Sequence, residues 1–189
     1  MKYFRLMDEL NKPKDRWFLK SLNVVDENKI SVWKFITPSK INLSNTEKLK
    51  IGIREYGRAI DFTFADFEVL VVNERVAFFL SDEECQLIPV EIDGVKNEHS
   101  YFIAVLLNSV DCVDENKSVF EKWEANDTIR PDLAGEYKSI YKLFVDSNKI
   151  NQNTIFRLGK CDNIIVVNEK LKKQLESNAI TGIKFKEVT

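Results

Sequence analysis

Histidine occurs once, at His99, and glycine only six times in 189 residues. One histidine leaves too few ligands for a zinc site built from His and Cys at short spacings, and there is no Cys-x-x-Cys. With so little glycine there is no Gly-x-Gly-x-x-Gly and no Gly-Lys-Ser/Thr turn, which disfavours nucleotide enzymes of the usual kinds. Cysteine is also scarce: Cys85, Cys112 and Cys161 are odd in number and widely spaced. They fit a reducing compartment better than a disulfide framework. Long hydrophobic runs are missing. The longest, Tyr101 to Leu107, is too short to cross a bilayer. The opening Met1-Lys2-Tyr3-Phe4-Arg5-Leu6-Met7-Asp8 brings in charge before any apolar core of useful length, so it does not read as a signal peptide. Basic excess is absent as well: the net charge is −2 and the pI near 5.6. That argues against a general nucleic-acid binder. The expectation is a cytoplasmic protein without membrane or nucleic-acid partners and without a metal or cofactor.

What is present suits a folded core. Hydrophobic residues make up 44% and charged residues 31%, with thirteen Phe and three Trp, a mix far from that of disordered chains. The length fits a single domain over residues 1–189, with two sub-lobes of about 1–97 and 98–189 as a possible division. The fold class expected is α+β, with mostly antiparallel sheet and a few short helices. Strands are predicted at Tyr3–Met7, Ile30–Phe35, Leu49–Arg54, Ala59–Phe64, Gln86–Ile92, Tyr101–Leu107, Tyr137–Val145 and Gly182–Val188. Glu55-Tyr56-Gly57-Arg58 reads as a turn that joins the third and fourth of these into a hairpin. The polar stretches Lys12–Lys29 and Asp111–Glu136 read as long loops or edge segments.

One segment echoes another. Val69-Leu70-Val71-Val72-Asn73-Glu74-Arg75-Val76 recurs as Ile164-Ile165-Val166-Val167-Asn168-Glu169-Lys170-Leu171, and Leu80 and Leu175 match at the same offset. Each copy predicts a buried strand, an Asn that caps a helix, a carboxylate in the first helical turn and a strand that closes the unit. Two related β–α–β units would explain the echo. So would chance, because strand–Asn–helix is a common construction.

Candidate chemistry is thin. A Cys–His hydrolase would need Cys112 to meet His99, and Asp111 beside Cys112 is the only hint of it. Buried cysteines are usually only small apolar residues. Asp111-Cys112-Val113-Asp114-Glu115-Asn116 departs from a calcium loop, since Val113 takes a ligand position and the glycine is missing. Asp132 and Glu136 are too close in sequence for the usual two-strand metal-nuclease arrangement. Asp82-Glu83-Glu84, the lysines after Glu169, and Lys12, Lys14 and Arg16 read as solvated surface. Trp123, among acids, is either an exposed anchor for a partner or a core side chain, and the core reading is favoured. Trp17 and Trp33 read as core.

Taken in order, several pieces resemble a known family. They are Tyr3-Phe4-Arg5-Leu6-Met7-Asp8, Ala59-Ile60-Asp61-Phe62, Val71-Val72-Asn73-Glu74 and Ile88-Pro89-Val90. Val110-Asp111-Cys112-Val113-Asp114-Glu115 with Ser118 follows, then Ile155-Phe156-Arg157-Leu158, Ile165-Val166-Val167-Asn168-Glu169 and Thr181-Gly182-Ile183-Lys184-Phe185. The set is similar to the bacterial polymorphic-toxin immunity proteins first defined on a myxobacterial member. The resemblance implies a cytoplasmic antidote that binds the C-terminal domain of a cognate secreted toxin and has no catalytic residues of its own. The face expected to bind is the acid-rich stretch of Asp111, Asp114, Glu115, Glu121, Trp123, Glu124 and Asp127. If the toxin is a nuclease, these acids would mimic phosphates. The rival readings are an enzyme of unrecognised type that uses Cys112 or acidic residues, and a small-ligand or scaffold module.

Overall fold

The computed structural model describes residues 1–25, 31–43, 48–94 and 99–189. In chain order the strands are β1 (Tyr3–Asp8), β2 (Phe18–Val25), β3 (Lys48–Glu55), β4 (Phe62–Ala65), β5 (Val69–Asn73), β6 (Cys85–Ile92), β7 (Tyr101–Leu106), β8 (Ser109–Val110), β9 (Val119–Lys122), β10 (Tyr137–Lys142), β11 (Ile155–Leu158), β12 (Cys161–Asn168) and β13 (Ile183–Glu187). Helix α1 (Glu74–Ala77) follows β5, and α2 (Glu169–Ser177) follows β12. A first sheet has the order β2-β3-β6-β7-β5-β4, a second has β13-β1-β12-β11-β8, and β9 and β10 form a separate ribbon. All pairings are antiparallel except β3 with β6 and β11 with β8. The fold is therefore α+β with mostly antiparallel sheet, as the sequence predicts.

The apolar runs that mark β5 and β12 arise because both faces of each sheet are covered. Leu70 and Val72 of β5, and Ile165 and Val167 of β12, point into one layer between the two sheets. Phe4, Leu6, Ala104 and Leu106 join them there, and both helices turn Val76, Leu171 and Leu175 into the same layer. The alternate residues face away. Val69 and Val71 enter a core inside the curl of the first sheet with Trp17, Phe35 and Ile103. Ile164 and Val166 enter a third core with Cys112, Tyr137, Phe156 and Leu158, beneath the ribbon.

The echo in the sequence corresponds to a repeated arrangement. Asn73 caps α1 by accepting from the backbone N–H groups of Arg75 and Val76, and Asn168 caps α2 by accepting from that of Leu171. Asn73 lies opposite Tyr101 of β7, and Asn168 lies opposite Tyr3 of β1. The N–H of Glu74 donates to the Ser100 carbonyl at 3.1 Å, and that of Glu169 to the Lys2 carbonyl at 3.0 Å. So β6-β7-β5-β4 and β13-β1-β12-β11 share one pattern. The returning strand of each unit does not lie against the strand before the helix, contrary to the simple β–α–β expectation. A third strand sits between them: β7 in the first sheet, and β1 from the chain start in the second.

Other elements depart from the sequence reading for identifiable reasons. Val32–Phe35 is a 3-10 turn, not a strand, and Ile30 lies outside the described residues. The turn buries Phe35 completely and leaves Trp33 56% exposed, so Trp33 is not a core residue. β3 and β4 make no hairpin: β3 pairs with β2 and β6, while β4 pairs with β5. Alternation gives a strand its faces but not its partner. The stretch read as a turn crosses over the N-terminal loop instead, where Arg58 donates its N–H to the Asp15 carbonyl at 2.6 Å. β2 and β9 lie inside predicted loops. β2 has register shifts at Phe18/Leu19 and Leu19/Leu22 that break its alternation, and β9 alternates only between exposed and half-buried residues. Arg16, expected on a solvated loop, is buried. Its guanidinium pairs with Asp8 and donates to the Thr63 hydroxyl at 2.7 Å.

Candidate protein-binding face

The stretch from Asp111 to Asp127 is fastened to the second sheet by its apolar members. Cys112 is fully buried and Val113 bridges Val145. The N–H of Asp114 donates to the Phe144 carbonyl at 2.9 Å, and the Ser118 hydroxyl accepts from the Phe144 N–H at 2.9 Å. With these residues turned inward, the acids stand outward. Beyond them β9 pairs with β10, and Phe120 stacks edge-on against Tyr137 with centroids 5.2 Å apart.

The acids fall into two groups. Asp111, Asp114 and Glu115 line a groove of about 480 Å³ with Asp146, Lys149 and Lys160. Each has a basic partner: Lys160 for Asp111, Lys117 at 3.0 Å for Asp114 and Lys122 at 2.6 Å for Glu115. Glu115 also accepts from the Tyr137 hydroxyl at 2.8 Å. The Lys117 ammonium holds the Asp114 carboxyl below its ordinary range, and Lys122 followed by Tyr137 does the same for Glu115. Glu121, Glu124 and Asp127 line a second groove of about 610 Å³ together with Lys122 and Lys138. There Asp127 accepts from the backbone N–H groups of Arg130 and Ile129, which lower its pKa.

Trp123 belongs to neither acidic group. It is half-buried, its ring lies 4.8 Å beneath the Lys138 ammonium, and it lines a third groove of about 560 Å³ with Trp33, Ile36, Ile140 and Tyr141. Sequence reasoning missed Trp33, Tyr141 and Asp146 as neighbours of this face. No local signal marks them, because each comes from an element distant in the chain.

The residues weighed for catalysis are scattered. Cys112 sits in the third core, where burial, with Asp111 adding to it, pushes its thiol up to about 12. His99 is exposed beside α1, with Nδ1 2.8 Å from a Glu74 carboxylate oxygen. Asp132 is engaged by the Arg130 guanidinium at 2.8 Å. Among the described residues, no group of three His, Cys, Asp or Glu side chains is placed to hold a metal ion. Nor is any helix among them long and apolar enough to cross a membrane.

Residues 80–189, which run from the end of the α1 turn to the C-terminus and include the whole acidic stretch, match the Immunity protein family (Imm11). The chain belongs to this family. No curated protein matches it. In this Imm11 chain the matched part takes in both acidic grooves, the ribbon and every strand of the second sheet except β1. Membership agrees with the resemblance noted from the sequence and connects the chain to toxin immunity.

Proposed function

We propose that the protein neutralises a cognate toxin by binding its toxic domain and covering the active site or the path to it. The observation that carries this reading is membership of the immunity family over more than half the chain. The partner is the C-terminal domain of a toxin delivered between bacteria, met in the cytoplasm of the producer and its kin. The protein performs no reaction of its own. Support for that comes from the location of its thiols: Cys85 and Cys112 are buried, and burial pushes both up to about 12, which leaves little thiolate at neutral pH.

The face proposed for the toxin is the stretch with Asp111, Asp114, Glu115, Glu121, Trp123, Glu124 and Asp127. Two acid-lined grooves beside a half-buried tryptophan suit a basic partner surface. Acids of this kind steer association more than they add affinity, and a stable complex would bury on the order of 1,600 Å². The test is co-purification with the C-terminal domain of the secreted protein encoded beside this one, followed by combined charge reversal of Asp114, Glu115, Glu121 and Glu124. Slower association, with an effect that shrinks at high salt, supports the face. Unchanged binding rejects the face, and absence of binding by the unaltered protein rejects the function.

A further inference from the structure

The two repeated units differ most on the solvent side of their helices. At the positions after the cap, Glu74-Arg75-Val76-Ala77-Phe78 corresponds to Glu169-Lys170-Leu171-Lys172-Lys173. Val76 and Leu171 are both buried in the layer between the sheets, so the two helices are seated alike. Lys173 is exposed and pairs with Glu169 at 3.0 Å. Phe78, at the equivalent position, is 83% exposed, and Glu74 pairs with His99 instead. The fold thus accepts a solvated, ion-paired lysine at this site, and packing does not require the phenylalanine. A large aromatic left in water where its counterpart is charged marks a contact surface.

Its surroundings define the partner. Phe79 stacks edge-on against Phe78 with centroids 5.3 Å apart and is itself packed on the inter-sheet core, so the Phe78 ring is braced. The following loop is set by Ser81, whose hydroxyl accepts from the Glu83 N–H at 3.2 Å and whose carbonyl accepts from the Glu84 N–H at 3.0 Å. Glu84 is turned away to Thr154 at 2.6 Å. Asp82 and Glu83 remain exposed beside the aromatic, with no ion pair among the described residues.

We propose that Phe78, flanked by Asp82 and Glu83, is an anchor that enters an apolar pocket rimmed by lysine or arginine on a partner protein. The proposal rests on the immunity reading, and the partner is then the toxin domain, contacted here independently of the 111–127 stretch. The pocket takes the ring, and the rim pairs with the two carboxylates.

The test uses the full chain and the purified toxin domain encoded beside it. Phe78→Lys installs the chemistry of the second helix and is expected to melt like the unaltered protein while weakening binding at least tenfold. Asp82→Lys with Glu83→Lys is expected to slow association, less so at high salt. Lys173→Ala serves as the control and is expected to bind within twofold. If Phe78→Lys lowers the melting temperature, Phe78→Ser is measured in its place, with the same tenfold loss expected. Binding of the Phe78 variants within twofold of the unaltered protein overturns the anchor and leaves the immunity reading standing. Failure of the unaltered chain to bind overturns both.

Discussion

Thr181 grips Asp61 across the two halves of the molecule: its backbone N–H and its hydroxyl both reach Oδ2 of the carboxylate at 2.8 Å. Asp61 precedes β4 of the first sheet, and Thr181 lies between α2 and β13 of the second. Asn73 adds a third donor at 2.7 Å to Oδ1, and Arg75 reaches both oxygens at 2.9 Å. The reciprocal contact exists with the chemistry exchanged: Thr154, before β11, donates its N–H and hydroxyl to Glu84, before β6. Each sheet is thus tied at the start of one strand to the loop behind the other unit's helix.

Burial works to raise the Asp61 pKa, but the donors from Thr181, then Asn73, with the Arg75 charge, outweigh it and hold the carboxyl below its ordinary value. An unfolded aspartate titrates near ~3.9. The stabilisation from Asp61 is therefore complete above that pH and fades as pH falls through the lower folded value. Asp61→Asn replaces an acceptor with an amide donor facing Thr181 or Arg75, and is expected to cost about 1–3 kcal/mol at pH 7. Urea unfolding at pH 7 and pH 3 checks it: the gap between variant and unaltered protein should narrow in acid.

The two caps should not be equal. Asn168→Ala removes one cap bond, 2.9 Å from the Leu171 N–H, and is expected to cost about 1 kcal/mol. Asn73→Ala removes its cap and also leaves the buried Asp61 short of a donor, so a loss of about 2–3 kcal/mol is expected. Chemical denaturation of both variants side by side measures the difference.

Gly182 and Gly135 share a φ of +87° but not their surroundings. A Cβ on Gly182 would lie 2.1 Å from the Phe62 carbonyl oxygen, whereas one on Gly135 would meet nothing within 4 Å. Gly135→Ala should cost only the left-handed backbone penalty, about 1–2 kcal/mol. Gly182→Ala must also force β4 away from the Thr181 loop, so its melting temperature should fall well below that of Gly135→Ala.

Cys112 should behave as a core methylene. Its reaction with a thiol reagent at pH 8 should be slow in the native protein and become fast in urea, because burial disfavours the thiolate and blocks access. Cys112→Ala should still protect cells from the toxin. Loss of protection by a folded Cys112→Ala protein would reopen the enzymatic reading.

The sequence by itself determined what rests on local periodicity and local hydrogen bonding. The apolar runs at Val69–Val72 and Ile164–Val167, the capping asparagines and the acidic first turns fixed the strand–helix units, because those signals act within a few residues. It also carried the family resemblance. The tertiary structure alone decided which strands pair. β1 completes the second unit from the far end of the chain, and β3 turns away from β4, since alternation chooses faces and not partners. It also decided the surface. Arg16 went inside because Asp8 and Thr63 come to meet it. Trp33 stayed outside because a 3-10 turn spent its inward position on Phe35. The acidic stretch divided into two grooves because Cys112, Val113 and Ser118 are held by strands that lie beyond it in the chain.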